Sequence, residues 1–150
     1  MNYIKEAENR LTYYRDLQRS IDEMTRRIAR LVAKAGPEQL KAAALDDVGL
    51  RSGRHDTTMN VILEIQKLQE SLQETQKGFI EIDAILDEIS QGAGCENYGN
   101  LLRMWYIQRV SKEVIAEHLS CSIRKVYYDK DAAIRKFAVR IFGMAALKIV

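Results

Sequence analysis

Proline is almost missing from this chain: Pro37 is the single one in 150 residues, so little interrupts backbone hydrogen bonding over long stretches. Cysteine is nearly as scarce. Cys95 and Cys121 are too few for a disulfide framework, and cytosolic thiols stay reduced. With His118 they offer three metal ligands where a structural zinc site uses four, so no metal is expected. No run approaches the roughly 20 apolar residues of a membrane span, and the N-terminal MNYIKEAENR is charged from its fifth residue, unlike a secretory signal. The expectation is an intracellular, cytoplasmic chain with no membrane partner. A glycine-rich phosphate loop, a nucleophile with a base beside it and a ligand cluster are lacking too, so neither a cofactor nor enzymatic activity is expected.

What is present is helical periodicity. From Ile4 the apolar residues run Ala7, Leu11, Tyr14, Leu17, Ile21, Met24, Ile28, Leu31 and Ala35, in steps of three and four with one slip of the heptad frame between Tyr14 and Leu17. One long helix is predicted from Asn2 to Ala35, ended by Gly36 and Pro37. A short helix is predicted over Glu38 to Leu45, then a loop in DDVGLRSGRHD. The second long pattern is regular: Val61, Ile65, Leu68, Leu72, Thr75, Phe79, Ile82, Leu86 and Ile89, with Asp56 or Thr57 as its cap and the run from Gln91 to Gly94 as its stop.

About 35 residues at 1.5 Å each make a rod of roughly 50 Å, and such a rod must bury its seam. Pairing with the first helix gives an antiparallel, coiled-coil-like hairpin. Val32, Ile62, Ile80 and Ile85 lie beside the seams, so a second copy of the chain is expected to cover them in a homodimer. The fold class is therefore all-α, with an oligomerising hairpin over 1–94 and a small domain over 95–150.

Charge divides the chain near the same boundary. Residues 1–97 hold 13 Lys and Arg against 17 Asp and Glu, a net of −4, whereas residues 98–150 hold 10 against 4, a net of +6. Polyanion binding is expected in the basic part.

Within it, SKEVIAEHLSCSIRKVYYDKDAAIRKFA, residues 111–138, spaces its residues as a helix-turn-helix does. Ser111 caps a first helix with Ile115, Ala116 and Leu119 inward; Ser120, Cys121 and Ser122 turn the chain; Ser122 caps a second helix with Val126, Ala133 and Phe137 inward. Ahead of them, YGNLLRMWYI, residues 98–107, is predicted to be a helix packing Leu101, Leu102, Trp105 and Tyr106 across the pair. The second helix of such a motif enters the major groove of double-stranded DNA. Its DNA-binding candidates are Ser122, Ile123, Arg124, Lys125, Tyr127, Tyr128, Lys130, Asp131, Arg135 and Lys136. Arg124 is placed for a guanine edge, which a guanidinium meets with two bonds, and the tyrosines for phosphates or thymine methyls. One of two adjacent tyrosines on a helix commonly closes the core instead. Beyond the motif, Phe142, Leu147 and Ile149 make an apolar tail expected to fold back or join a subunit interface.

The stretch from LLRMWYI through VYYDKDAAIRKF resembles region 4 of the sigma-70 class of bacterial transcription factors. It is more closely similar to small phage and prophage regulators of that fold, of the RinA and ArpU late-gene activator kind and the sigma-like positive control factors. Arg109 and Ser120 stand where that family usually has glycine, and Asp129 where it usually buries an aliphatic residue. The resemblance implies a transcriptional regulator of a phage or prophage in a bacterial host, reading a promoter-like element and contacting RNA polymerase through the same small domain. A second plan remains open: a phage DNA-packaging component similar to small terminase subunits, which also join a helix-turn-helix to an oligomerising hairpin. A helical adaptor with a vestigial motif is the third.

Overall fold

The computed structural model describes residues 1–36 and 53–148, and of 53–57 the backbone alone. Every regular element among the described residues is helical, as the scarcity of proline and the apolar spacing lead one to expect. Two compact units form, Met1–Asp16 with Phe79–Val150, and Leu17–Gly78. The sequence puts its single boundary at residue 94; in the fold, the first sixteen residues and the last turns of the second long helix group with the C-terminal helices.

Asn2 caps α1 (Tyr3–Thr12) by accepting the Lys5 amide at 3.1 Å. Where one helix over 2–35 is predicted there are two, since α1 stops at Thr12 and α2 spans Tyr14–Ala35. The Thr12 hydroxyl donates to the Glu8 carbonyl at 2.9 Å, and Tyr13 leaves the helical region at ψ 7°. The break falls beside the slip of the apolar frame between Tyr14 and Leu17. Gly36 closes α2 in the left-handed region, φ +79°, its amide donating to the Val32 carbonyl at 2.9 Å.

Helix α3 spans Gly53–Ile89, so residues 53–56 of the predicted loop are helical and the helix begins ahead of Asp56 and Thr57. It ends before the Gln91–Gly94 run, as expected. The predicted helix over 38–45, the stop at Pro37 and the loop over 46–52 lie outside the described residues.

In the first unit, α4 (Tyr98–Leu102) continues into a π-helical turn, Arg103–Ile107, so the predicted helix over 98–107 is α-helical only in its first half. Then come α5 (Lys112–His118), α6 (Ile123–Phe142) and α7 (Met144–Leu147). α6 packs against α1, α4, α5 and α7. It buries Val126, Ala133, Ile134, Phe137 and Ala138, while α1 contributes Ala7 and Leu11 and the end of α3 contributes Ile82, Ile85, Leu86 and Ile89. Gly99 lets α4 meet α3 closely. A Cβ there would stand 2.4 Å from the Leu86 carbonyl oxygen and 2.6 Å from Ser90 Oγ. The Ser90 hydroxyl stitches the contact, accepting the Gly99 amide at 2.8 Å and donating to the Leu86 carbonyl at 3.1 Å.

The apolar tail divides. The Phe142 ring lies 5.0 Å from that of Tyr3, with the Arg10 guanidinium 5.2 Å from its centre, and Ala146 is buried. Leu147, expected to join it, is 56% exposed because the four-residue α7 turns it outward, and Ile149 lies outside the described residues.

In the second unit, Arg27 of α2 pairs with Glu64 of α3 at 3.1 Å. The predicted seam residues Leu17, Ile21, Met24, Ile28, Leu31, Val61, Leu68 and Leu72 are all half-buried, and Ile65 alone among the described side chains of this unit is buried.

Candidate nucleic-acid interface

Two serines set the local geometry of residues 111–138. Ser111, extended at φ −65° and ψ 151°, accepts the Val114 amide at 3.3 Å and starts α5. Ser122, at φ −77° and ψ 158°, accepts the Lys125 amide at 3.1 Å and starts α6. Each satisfies a helix-end amide that would otherwise go unpaired. Between them the Cys121 amide donates to the Ala116 carbonyl at 3.0 Å, and Ser120 takes φ +53°. Arg109, which ends the segment ahead of α5, takes φ +54°. These are the only non-glycine residues with positive φ among those described. Glycine adopts that conformation most readily; here larger side chains bear its steric strain.

Under this turn Leu101, Met104, Ile115, Ala116 and Val126 form one core cluster, flanked by Trp105, Val110, Leu119 and Cys121. The inward residues expected on both helices are where they should be. Met104 joins the cluster from the π-helical turn, a position that the apolar spacing does not single out. Tyr106 is buried too, beside Glu8 of α1 and Asp131 of α6; burial first, then those carboxylates, pushes its phenol well above the ordinary tyrosine range.

The ten candidate residues do not form one surface. Arg124, Tyr128, Asp131 and Arg135 recur at intervals of four, three and four and share one exposed stripe of α6. Tyr128 is 77% exposed, and among the described residues Arg124 and Arg135 have no hydrogen-bond or ion-pair partner. Ile123 is exposed at the start of the helix, and Ser122 is its cap. Lys125 and Lys136 lie on the next face round. Lys125 Nζ pairs with Asp129 at 2.9 Å, which holds the amine protonated above its usual range, and Lys136 Nζ donates to Cys95 Sγ at 3.4 Å. Asp129, with 21% of its side chain exposed, is thus satisfied by Lys125.

Lys130 is drawn inward. Its ammonium lies 5.0 Å from the centre of the Trp105 ring and 2.9 Å from Asp131 Oδ1, with 18% of the side chain exposed. Tyr127 is the half-packed member of the tyrosine pair, its ring edge-on to Trp105 at 5.4 Å.

Sequence spacing missed a cleft beside this stripe. About 390 Å³ in volume, it is lined by Trp105, Arg109, Val110, Ser111, Lys112, Glu113 and Tyr127. Lys112 Nζ lies 5.5 Å from the Tyr127 ring centre, and the nearby Tyr127 hydroxyl raises the amine's pKa. Its position directly after the Ser111 cap, at the mouth of the motif, was the available signal. His118 is exposed and lines a second cleft of about 350 Å³ with Arg103, Gln108 and Val114. Among the described residues no group of three or more His, Cys, Asp or Glu could hold a metal ion, and no helix is long and apolar enough to cross a membrane.

The arrangement offers hydrogen-bond donors and two guanidinium groups without partners among the described residues on one helical stripe, with aromatic and cationic groups at its edge. No protein-family model, curated protein or solved structure matches the chain.

Proposed function

We propose that the chain is a sequence-specific, double-stranded-DNA-binding transcriptional regulator whose residues 111–138 act as a helix-turn-helix of the sigma region 4 kind. The observation that carries this reading is the exposed stripe of Arg124, Tyr128 and Arg135 behind a serine-capped turn, in a segment of net charge +6. α6 enters the major groove by its N-terminal turns, with Arg124 on a base edge and Lys112, Tyr127 and Arg135 on phosphates. α2 and α3 pair as a hairpin whose half-buried seam is closed by a second copy, so two motifs meet half-sites separated by whole helical turns. RNA polymerase is a further partner, and a bacterial cell carrying a phage or prophage is the setting.

The test is a fluorescence-anisotropy titration on duplexes selected from random sequence. Arg124→Ala is expected to weaken binding to the preferred site by about 1–3 kcal/mol and binding to random duplex far less. Binding without any preferred sequence, together with a ring of many subunits in sedimentation, would transfer the chain to the DNA-packaging plan. No binding at low salt would sink both.

A further inference from the structure

The face of α2 opposite its apolar seam carries cations that no described residue engages. Arg26, Arg30 and Lys34 recur every four residues, so they stand one above another along about 12 Å of helix axis. All three are exposed, and among the described residues none has an ion-pair or hydrogen-bond partner, although Asp22 and Glu23 lie one turn upstream of Arg26. Arg27, on the neighbouring face, is the one cation of this stretch with a partner among the described residues, Glu64 at 3.1 Å.

Like charges four residues apart repel and weaken a helix, so the row does not serve to hold α2 together. The helix dipole favours cations in the last turn, which accounts for Lys34 and leaves Arg26 unexplained, since the effect fades within a turn. Beside the row stand Ala29 and Ala33, small enough to let a ligand's backbone come close. The face has no large apolar or aromatic side chain, the component from which protein interfaces draw most of their affinity.

We propose that Arg26, Arg30 and Lys34 form a second nucleic-acid contact, one that grips the phosphate backbone without regard to sequence. Guanidinium groups match phosphate with two parallel hydrogen bonds, and a row of three cations along one helix face offers a strand of phosphates successive partners. The inference shares with the proposed function only the identity of the ligand as nucleic acid. It places the contact in the unit Leu17–Gly78, away from the α6 stripe in the chain.

The experiment uses the full chain and a fluorescein-labelled random-sequence duplex of about three helical turns, titrated at several salt concentrations. Arg26→Gln/Arg30→Gln/Lys34→Gln is expected to bind all sequences more weakly and to flatten the log–log salt dependence by about two to three units of slope. Arg26→Lys/Arg30→Lys, which keeps the charge, is expected to retain the wild-type slope. If the triple variant loses helicity by circular dichroism, Arg26→Gln alone replaces it, with a shift of about one unit expected. An unchanged slope in the neutralised protein overturns the proposal whatever Arg124→Ala does. A flattened slope in a protein with no sequence preference leaves it standing while the α6 reading fails. If DNA binding is unaffected but binding to vesicles of phosphatidylserine and phosphatidylcholine is lost, the row serves an anionic membrane and the proposal is wrong.

Discussion

The two units follow the same three-and-four spacing of apolar residues and end with different cores. In the unit formed by Met1–Asp16 and Phe79–Val150, Leu11, Leu86, Ile89, Leu101, Leu102, Ile115, Val126 and Phe137 are each less than 2% exposed. In Leu17–Gly78 no described side chain reaches that level; Ile65, at 8%, comes nearest. Two helices cover one stripe of each other and leave its edges wet, whereas helices that meet from several sides enclose side chains completely. Periodicity therefore tells which side of a helix turns inward, and the number of neighbours decides how far.

The sharpest way to break that comparison is to truncate one residue in each core. Phe137→Ala removes a fully buried ring and is expected to destabilise the protein by about 3–5 kcal/mol in urea unfolding. Leu72→Ala, from the half-buried seam, is expected to cost about 1 kcal/mol in dilute solution. At higher protein concentration the Leu72 penalty should grow, because a partner copy that covers the seam binds only the folded form. Equal penalties at every concentration would mean that the seam is already closed within one chain, and the proposed dimer would lose its basis.

Gly99 probes how tightly the larger core is assembled. Gly99→Ala places a methyl against the Leu86 carbonyl, a backbone atom that cannot swing away, and against the Ser90 hydroxyl that binds the Gly99 amide. A loss of about 1–3 kcal/mol is expected. A neutral outcome by thermal melting would show that α4 can shift on α3, and with it the floor beneath the α5–α6 turn.

Much of this was legible beforehand, and the failures have physical causes. Ser111 and Ser122 cap as their positions require, and Val126, Ala133 and Phe137 are buried where the helical repeat puts them. Those features depend on residues a few places apart. The break at Tyr13 interrupts a run whose spacing is helical throughout, and the π-helical turn over Arg103–Ile107 buries Met104 and Tyr106 together. Spacing along one helix does not encode either. The same holds for the candidate interface: exposure of Arg124 and Tyr128 followed from the repeat, while the withdrawal of Lys130 onto Trp105 and of Lys136 toward Cys95 required the neighbouring elements.

Tyr14 adds a pH-dependent difference. Its hydroxyl donates to both carboxylate oxygens of Asp83, at 2.8 and 2.9 Å, and its ring stacks on Phe79 at 4.5 Å. Partial burial, then the Asp83 bond and charge, raise its pKa from 10.0 to about 12. The folded state thus keeps a proton that the unfolded chain releases, so the contribution is complete below pH 10 and is lost as pH rises toward 12. Tyr14→Phe is expected to be less stable than wild type at neutral pH, and the gap is expected to narrow from pH 10 to 12 in paired melts. A gap that stays constant over that range would detach the hydroxyl from Asp83.

The smallest effect has the opposite sign and belongs to the larger unit alone. Ser120 holds φ +53°, where its Cβ crowds the backbone, and glycine removes that crowding. Glycine also loosens the unfolded chain, which offsets part of the gain, so Ser120→Gly is expected to stabilise by about 1 kcal/mol. Because Ser120 is exposed and its side chain makes no hydrogen bond among the described residues, nothing else is lost. Native-state amide exchange can locate the gain. Slower exchange is expected in α5 and α6, with the amides of α2 between Leu17 and Ala35 unchanged if the half-buried seam opens on its own. Uniform slowing along the chain would show instead that the two units unfold together and that their unequal burial does not divide them energetically.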